Sequence, residues 1–582
     1  MANKKKKTVK TMDIVAPKKK TKKTGGVSHK NSKAVKIDID VNEIPTDVIT
    51  EEVEEITIEE EPIEEDKPMQ KKPEPEMRTK EEVKKSSNDT TPSPKAKKSP
   101  AKIIVKIISL ILVLAAATSV GFLIFNISRS NLLPAKFFYP TVAILAVIAL
   151  LFLWFTLRRK TKIVTHIIID ILSAALLAGS LFCNLKLNDT LTFLDKNLNG
   201  ATYQTLVYNV LTGADSKYNS KESLADTNII SPPDFVLSED ELITAVRDQV
   251  GANLTFNDNN DGVTNLPLAD SDALILLNNS IYDSMAEAAP EYRDKTKIVT
   301  TIKIEKKVDK GDNGVDLASK PFLMFLSGID SRDGLTYTSL SDVNMAIAVN
   351  PKTAQILLLT IPRDYQIHIP GTPGGLNDKV THAGLLGGLQ LSRATIEELM
   401  GVKFDEYIRV SFDFVVGLVN AIGGIELYSD QGTPFTCWTN PSCTFQPGNN
   451  YVYGDCALAF ARERMTYATG DAHRAENQQQ VIEKIFSKIT SSGTLINNYS
   501  AILDSLSGTF ETSLTTSDIS SLVRLQLDKF PSWKVHSYTL ATTGHDELYT
   551  YTFPNEPLYV AYQDPASIAK GKQMIQEILN GN

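Results

Sequence analysis

The sequence predicts a membrane-anchored chain ending in an α/β or α+β domain built on a central sheet. Three observations predict it. Nearly uncharged runs of membrane-spanning length lie between residues 103 and 185. Beyond residue 318, short apolar strand-like runs alternate with longer helical patterns. In that last region the acids and bases gather at the predicted ends of elements, where sites are commonly built.

The first segment, residues 1–102, is hidden by the averages of a 582-residue chain that is 42% hydrophobic with a formal charge of −8. It runs from a lysine-rich start through EEVEEITIEEEPIEED to a Lys/Pro/Ser stretch, and it has no aromatic residue. Such a composition predicts a disordered, solvated cytoplasmic tail. Its basic blocks also suit anionic lipid or a cytoplasmic partner.

Ile103–Ile127 spans about 37 Å at about 1.5 Å per residue, enough to cross a bilayer. Phe137–Leu157 and Ile163–Leu185 complete three predicted membrane helices in 103–185. The first run starts too far from Met1, and lacks a cleavage site, to be an ordinary signal peptide. Lys95, Lys97, Lys98, Lys102 and Lys106 precede the first helix, and Arg158-Arg159-Lys160-Thr161-Lys162 fills the second loop. The first loop has only Arg129 and Lys136. The positive-inside rule therefore puts the N-terminus in the cytoplasm and everything beyond the third helix outside. Asp170 follows His166 by four residues in the third helix, and the expectation is an i,i+4 pair near the cytoplasmic end.

Residues 186–317 read as a small α+β accessory domain. Ser238–Val250 and Asn279–Tyr292 carry helix signals, and Lys297–Lys307 alternates like a strand. LTFNDNNDGVTN lacks the acidic twelfth position of an EF-hand and reads as a polar loop. Lys310–Gly314 reads as a linker.

In 318–582 the strand candidates are Phe322–Ile329, Val343–Val349, Gln355–Ile361 and Trp533–Leu540. The helix candidates are Gly387–Met400, Phe412–Ile422, a helix opening near Asp471, and Asp564–Leu579. In the helix near Asp471, Arg474 and Gln478 share one face with Val481, Ile482, Ile485 and Ile489. That face should be buried, and a buried cation needs a side-chain partner or an anionic ligand. Of the external cysteines, Cys437 and Cys443 flank the turn in CWTNPSC and are the expected disulfide; pairing with Cys456 stays open. No CxxC pair or His cluster suggests zinc, and no Walker or dinucleotide-binding glycine motif is present.

The candidate site residues are Asp330, Asp342, Arg363, Lys379, Arg462, Arg464, Asp471, Arg474 and Gln478, with His382 nearby in LNDKVTHAGLLGG. Two carboxylates beside several cations fit a phosphate held with Mg²⁺: oxygen ligands take the ion, and arginines clamp phosphate oxygens in pairs. A helix N-terminus near Asp471 adds its positive end. GLLGG reads as a turn, with phosphate binding as the alternative.

FLSGID, SDVNMAIAVNPKT, LLLTIPRD, DKVTHAG, GGIEL and ALAFARER followed by GDAHRAENQQQVI keep one order over residues 320–490. In this the domain resembles the LytR-CpsA-Psr family of cell-wall glycopolymer transferases, and the three helices plus accessory domain resemble its capsule-associated branch. The resemblance implies an α-β-α fold with a central mixed sheet and an apolar tunnel for a polyprenyl pyrophosphate lipid. It implies Mg²⁺-dependent transfer of a teichoic acid or capsular polysaccharide to peptidoglycan. Asp330 and Asp342 would match the metal-site acids. Arg363, Lys379, Arg462, Arg464, Arg474 and Gln478 would match the pyrophosphate site, and Asp471 the acid beside it. Many members have arginine where this chain has Leu340, with Arg332 a possible substitute. A non-catalytic lipid-phosphate or wall-polymer binder is the alternative. A DNA-binding regulator is disfavoured, because the arginine cluster is predicted to lie outside the membrane.

Overall fold

A computed structural model describes residues 100–581 apart from 159, 200–202, 258–271, 308–315, 332–334, 374–375, 492–498 and 530. The charged tail, the 310–314 linker, Arg332 and most of LTFNDNNDGVTN lie outside the described residues.

Three helices open the described chain: α1 (Pro100–Ser130), α2 (Ala135–Leu157) and α3 (Ile163–Leu194). Each is long and apolar enough to cross a membrane. Large apolar side chains such as Ile111, Leu150 and Ile171 stand on their outer surfaces, as lipid-facing helices require. Polar groups turn inward instead: Asn126 donates to Asn184 at 3.1 Å and Ser180 to Ser119 at 2.8 Å. The expected His166–Asp170 pair is not formed. His166 faces the seam between helices, and neither of its ring nitrogens, nor Asp170 Oδ1, has a hydrogen-bond partner.

A five-stranded sheet follows. Its strands are β1 (Tyr203–Gly213), β2 (Asn228–Ser231), β3 (Asn253–Phe256), β4 (Ile275–Asn278) and β5 (Thr296–Lys307), in the order β3-β2-β4-β1-β5. Helix α4 (Glu239–Val250) starts on a capping box, Ser238 with Glu241, and stops at Gly251 with φ +76°. The predicted helix over 279–292 is broken near Pro290 into α5 (Asn279–Ala288) and α6 (Glu291–Lys295).

The C-terminal part is built on a six-stranded mixed sheet. It contains β6 (Phe322–Ile329), β7 (Ser341–Asn350) and β8 (Gln355–Ile361). The two-residue pair β9 (Gln366–Ile367) and β10 (Asp378–Lys379) lies outside it and leads into α7 (Val380–Met400). Next come β11 (Glu406–Val410), α8 (Phe412–Ala421) and β12 (Ile425–Ser429). A hairpin of β13 (Phe435–Thr436) and β14 (Thr444–Phe445) precedes β15 (Gly448–Val452), α9 (Gly454–Arg462) and α10 (Asp471–Thr490). Then follow α11 (Tyr499–Leu506), β16 (Phe510–Thr512), α12 (Thr516–Lys529), β17 (Lys534–Thr539), and near the end α13 (Pro565–Asn580). The order is β16-β11-β6-β7-β8-β17, with parallel pairs β11/β6 and β8/β17 among antiparallel ones.

Both faces of this sheet are covered, so its strands are apolar on both sides. Leu323, Phe325, Ala346 and Leu357 pack on one face in a core shared with α7 and α13. Met324, Leu326, Ile347 and Leu358 face the other way, toward α10 and α12. The expected α-β-α layering follows from this period-2 division.

Candidate active site

The register of the sheet gathers the predicted acids and bases at one edge. Asn344 of β7 stands opposite Ile361 of β8, so the start of β7 lies beside the end of β8. Pro362 ends β8 and leaves Arg363 across from Asp342. Arg363 Nη1 donates to Asp342 Oδ1 at 2.5 Å, and the Thr381 hydroxyl donates to the same oxygen at 3.3 Å. Asp330 emerges from the neighbouring end of β6, and Arg462 Nη2 lies 3.6 Å from its Oδ2. Arg462 closes α9, with its guanidinium 4.3 Å over the Phe412 ring.

Helix α10 opens at Asp471, whose Oδ1 lies 2.6 Å from Arg474 Nη2. Gln479 pins this helix to the sheet. Its Nε2 donates to Thr360 Oγ1 at 2.8 Å and to the Tyr538 carbonyl at 3.0 Å. Arg474 is thereby held at the sheet edge, buried to 8% exposure. Asp364 bridges the remaining cations, paired with Lys379 and 3.6 Å from Arg363 Nε.

This site is balanced and strained in charge. Burial alone would raise the Asp364 carboxyl, but Lys379 and Arg363 outweigh it and hold it below the usual range. Asp330 is pushed up, by burial first and then by the negative charge of Asp342, despite Arg462. Asp471 is pushed up by burial, with Arg474 opposing. Against these carboxylates, Arg363 and Arg474 each keep a buried Nε–H with no hydrogen-bond partner. A buried donor left unmade is costly, so these two N–H groups are open to a further acceptor, although Arg363 Nε lies 3.6 Å from Asp364 Oδ1.

From this edge an apolar cavity of about 480 Å³ runs between the sheet and the helices. Met324 and Leu326 line one wall; Val481, Ile482, Ile485 and Phe486 line the other. Arg462 and Gln478 are among its polar lining residues. The inward stripe of α10 therefore passes from guanidinium to amide to aliphatic wall.

Arg464 is not part of the gathered set. It stands exposed on the turn after α9, with no ion pair among the described residues. That turn is organised by Glu463, fully buried, which accepts from the N–H groups of Trp438 at 2.7 Å and Met465 at 2.8 Å. His382 serves structure: its Nδ1 is 2.5 Å from Asp378 Oδ1, and Asp378 Oδ2 also takes the Thr552 N–H at 2.8 Å. Glu463 and Gln479 were not singled out from sequence. Asp364 had a visible signal, as the second charge after Pro362 at a strand end.

Among the described residues no group of three or more His, Cys, Asp or Glu is arranged for a metal. Asp330 and Asp342 offer two hard oxygen donors whose mutual repulsion a cation would relieve. Mg²⁺ is usually held by one or two carboxylates together with substrate phosphates, so the residues present fit it.

The profile of the LytR_cpsA_psr family matches residues 284–565. The polyisoprenyl-teichoic acid–peptidoglycan teichoic acid transferase TagU of Enterococcus faecalis is 33% identical over 215 residues, 36% of this chain and 67% of its own length. Its counterpart in Bacillus mycoides is 32% identical over 228 residues, covering 38% and 72%. This chain belongs to the LytR_cpsA_psr family. TagU of Halalkalibacterium halodurans is 33% identical over 199 residues, and the chain spans 63% of that relative's length. The crystal structure of B. subtilis TagV is 24% identical with a TM-score of 0.39, covering 45% of this chain and 98% of that one.

Three further features of this LytR_cpsA_psr chain bear on its sequence expectations. Leu340 packs against the core beneath the sheet edge, so no cation comes from that position. The disulfide joins Cys443 to Cys456, not Cys437 to Cys443. Cys437 and Cys443 face each other across the β13/β14 hairpin, where the Cys437 N–H donates to the Cys443 carbonyl at 2.9 Å. The buried face of that hairpin lies on α9, which brings Cys456 to a Cα–Cα distance of 5.3 Å from Cys443. The bridge staples hairpin to helix, and Cys437 stays a buried thiol, pushed up to about 12 by burial and by Glu463. The GLLGG glycines sit within α7 at a kink rather than in a turn: a Cβ on Gly388 would meet the Tyr337 carbonyl at 2.6 Å.

Proposed function

We propose that this protein transfers a wall glycopolymer, a teichoic acid or a capsular polysaccharide, from a polyprenyl-pyrophosphate carrier to peptidoglycan on the outer side of the membrane. One observation carries the reading. An apolar cavity of about 480 Å³ has Arg462 and Gln478 in its lining, and Arg363 and Arg474, each with an unpartnered buried N–H, stand at the same sheet edge. A ligand that is apolar along its length and polyanionic at one end is complementary to that arrangement. The names of the TagU relatives supply the same pairing of prenyl lipid and wall acceptor.

On this reading the prenyl chain occupies the cavity between β6 and α10. Arg363, Arg462 and Arg474 bind the pyrophosphate, with Lys379 holding Asp364 and thereby Arg363. Gln478 lines the passage between the charged mouth and the aliphatic wall. A sugar hydroxyl of peptidoglycan attacks the phosphorus nearest the glycan. The new P–O bond forms as the pyrophosphate P–O bond breaks, and prenyl monophosphate leaves. The guanidinium groups stabilise the charge developing on that leaving group. Asp330 and Asp471, the two carboxyls of the site raised above the usual range, are matched to accept the hydroxyl proton. Asp330 and Asp342 would hold Mg²⁺, which supplies positive charge to the phosphates when bound. The three helices anchor the chain, with the N-terminus cytoplasmic.

A second reading, binding without transfer, is favoured by Leu340, which leaves the anion site without a cation from that position. Full-length protein in lipid nanodiscs, given a prenyl-pyrophosphate-linked glycan and a peptidoglycan fragment, separates the two. Formation of the phosphodiester-linked product, abolished by chelation and by Arg474→Ala, supports transfer. Saturable lipid binding without product supports the second reading and ends the first.

A further inference from the structure

The segment from Thr336 to Leu340 has no regular secondary structure and leads directly into Ser341 and Asp342 at the start of β7. Its anchors come from two directions. From the sheet, Arg409 of β11, buried to 1% exposure, donates from Nη1 to the Thr336 carbonyl at 2.6 Å. From α7, the Ser339 N–H donates to the Gly384 carbonyl at 3.1 Å. The remaining anchors belong to the five-stranded unit. Thr338 Oγ1 donates to Asn278 Oδ1 at 3.1 Å and lies 3.0 Å from Ser280 Oγ, which donates to the Thr338 carbonyl at 2.9 Å. Thr338 is 3% exposed, so these bonds are made away from water. The Tyr337 ring packs against the core of the five-stranded unit.

Asn278 is well placed for this. It ends β4 and caps α5, where its Oδ1 also accepts the Ser280 N–H at 2.9 Å. The acceptor for Thr338 is therefore fixed by a helix start and cannot drift without uncapping α5. Asn278 and Ser280 precede the region matched by the family profile, whereas Thr338 and both acids lie within it. The apolar cavity lies on the opposite face of the sheet from these contacts.

We propose that the five-stranded unit positions one acid of the site: by holding Thr338, Asn278 and Ser280 set where Asp342 stands at the start of β7. They are positioning residues for the transfer reaction, and this inference rests on the function proposed above. The unit acts on Asp342 and the phosphate end of the substrate, and leaves prenyl binding alone.

The test uses the full chain in nanodiscs with Thr338→Val, Thr338→Ser and Ser280→Ala. Thr338→Val should lower turnover about tenfold, since small misplacements of reacting groups are costly, with KM for the lipid donor unchanged within about twofold. It should also raise the Mg²⁺ concentration needed for half-maximal rate. Thr338→Ser, which keeps the hydroxyl, should restore both. Independently of turnover, hydrogen exchange of the 335–342 amides should quicken in Thr338→Val and Ser280→Ala, with exchange in α10 and β8 unchanged. Unchanged exchange in both variants overturns the inference, as does a loss that raises KM alone or that Thr338→Ser fails to rescue. Should Thr338→Val not fold, Ser280→Ala carries the comparison. Absence of transfer by the wild-type chain would sink the proposed function, and the exchange measurement would still decide whether the unit positions the segment.

Discussion

Arg363 Nη1 donates to Asp342 Oδ1 at 2.5 Å, across the paired ends of β8 and β7. This bond ties the anion-binding set to one of the two acids proposed to hold Mg²⁺. Arg363 is also drawn toward Asp364, so one guanidinium spans two carboxylates while its Nε–H remains free of a hydrogen-bond partner. Arg363→Ala should therefore act twice. It removes a donor from the phosphate site, which should lower transfer by about 10²-fold or more. It also leaves Asp342 and Asp364 without their partner, which should destabilise the fold by about 3 kcal/mol. Arg474→Ala should cost a comparable factor in turnover with a smaller loss of stability, since only Asp471 loses an ion-pair partner. Steady-state transfer and urea unfolding on the same preparations check both.

The cavity wall gives a prediction of a different kind. Ile482 and Ile485 lie on the α10 wall, opposite Met324. Ile485→Trp should fill part of the cavity and raise KM for long-prenyl donors by about tenfold or more, because overpacking excludes the chain. Turnover of a short-prenyl donor should change little, since Arg474 lies about three helical turns away. An equal effect on both donors would place the lipid elsewhere.

Much of this arrangement was legible in the sequence. The inward position of Arg474 and Gln478 followed from helical period alone, because a stripe ending in Ile482, Ile485 and Ile489 has only one side to bury. Strand ends at Ile329 and Ile361 placed Asp330 and Arg363 correctly, because apolar runs stop where the sheet stops. The failures share a cause. The Cys443–Cys456 bridge depends on how a hairpin packs on α9, and spacing in the chain favoured the shorter loop. The α7 kink at Gly387 and Gly388 exists because the Tyr337 carbonyl approaches from a distant segment. Arg464 was grouped with Arg462 by proximity in sequence, yet the turn around Glu463 sends it to solvent.

The disulfide yields a direct test. Cys456→Ser should lower stability by about 3 kcal/mol, the loop-closure contribution for a ring of this size. Its larger consequence should be at the site, because Cys456 and Arg462 share α9 and the staple holds that helix to the hairpin. Cys437→Ser breaks no bridge and should leave the Cys443–Cys456 peptide intact in non-reducing mass spectrometry. Detection of a Cys437–Cys443 peptide in the wild-type chain would contradict the structure.

The carboxyls of the site predict opposite responses of stability to pH and to neutralisation. Asp364 is held below the usual range, so its contribution is present above the unfolded carboxylate value of about 3.9 and is lost as pH falls through its folded value. Asp330 and Asp471 are raised, so they favour the folded state below that unfolded value, and this contribution disappears as pH rises toward their folded values. At neutral pH, Asp364→Asn should therefore lower the Tm, because it strands the buried Lys379. Asp330→Asn should leave the Tm unchanged or raise it, while abolishing Mg²⁺-dependent transfer, because it removes a repulsion with Asp342. A site held together only for stability would lose Tm in both variants. Thermal unfolding at pH 5 and pH 8, paired with the transfer assay, distinguishes the cases: the difference between wild type and Asp330→Asn should shrink at pH 5, where protonation already relieves the repulsion.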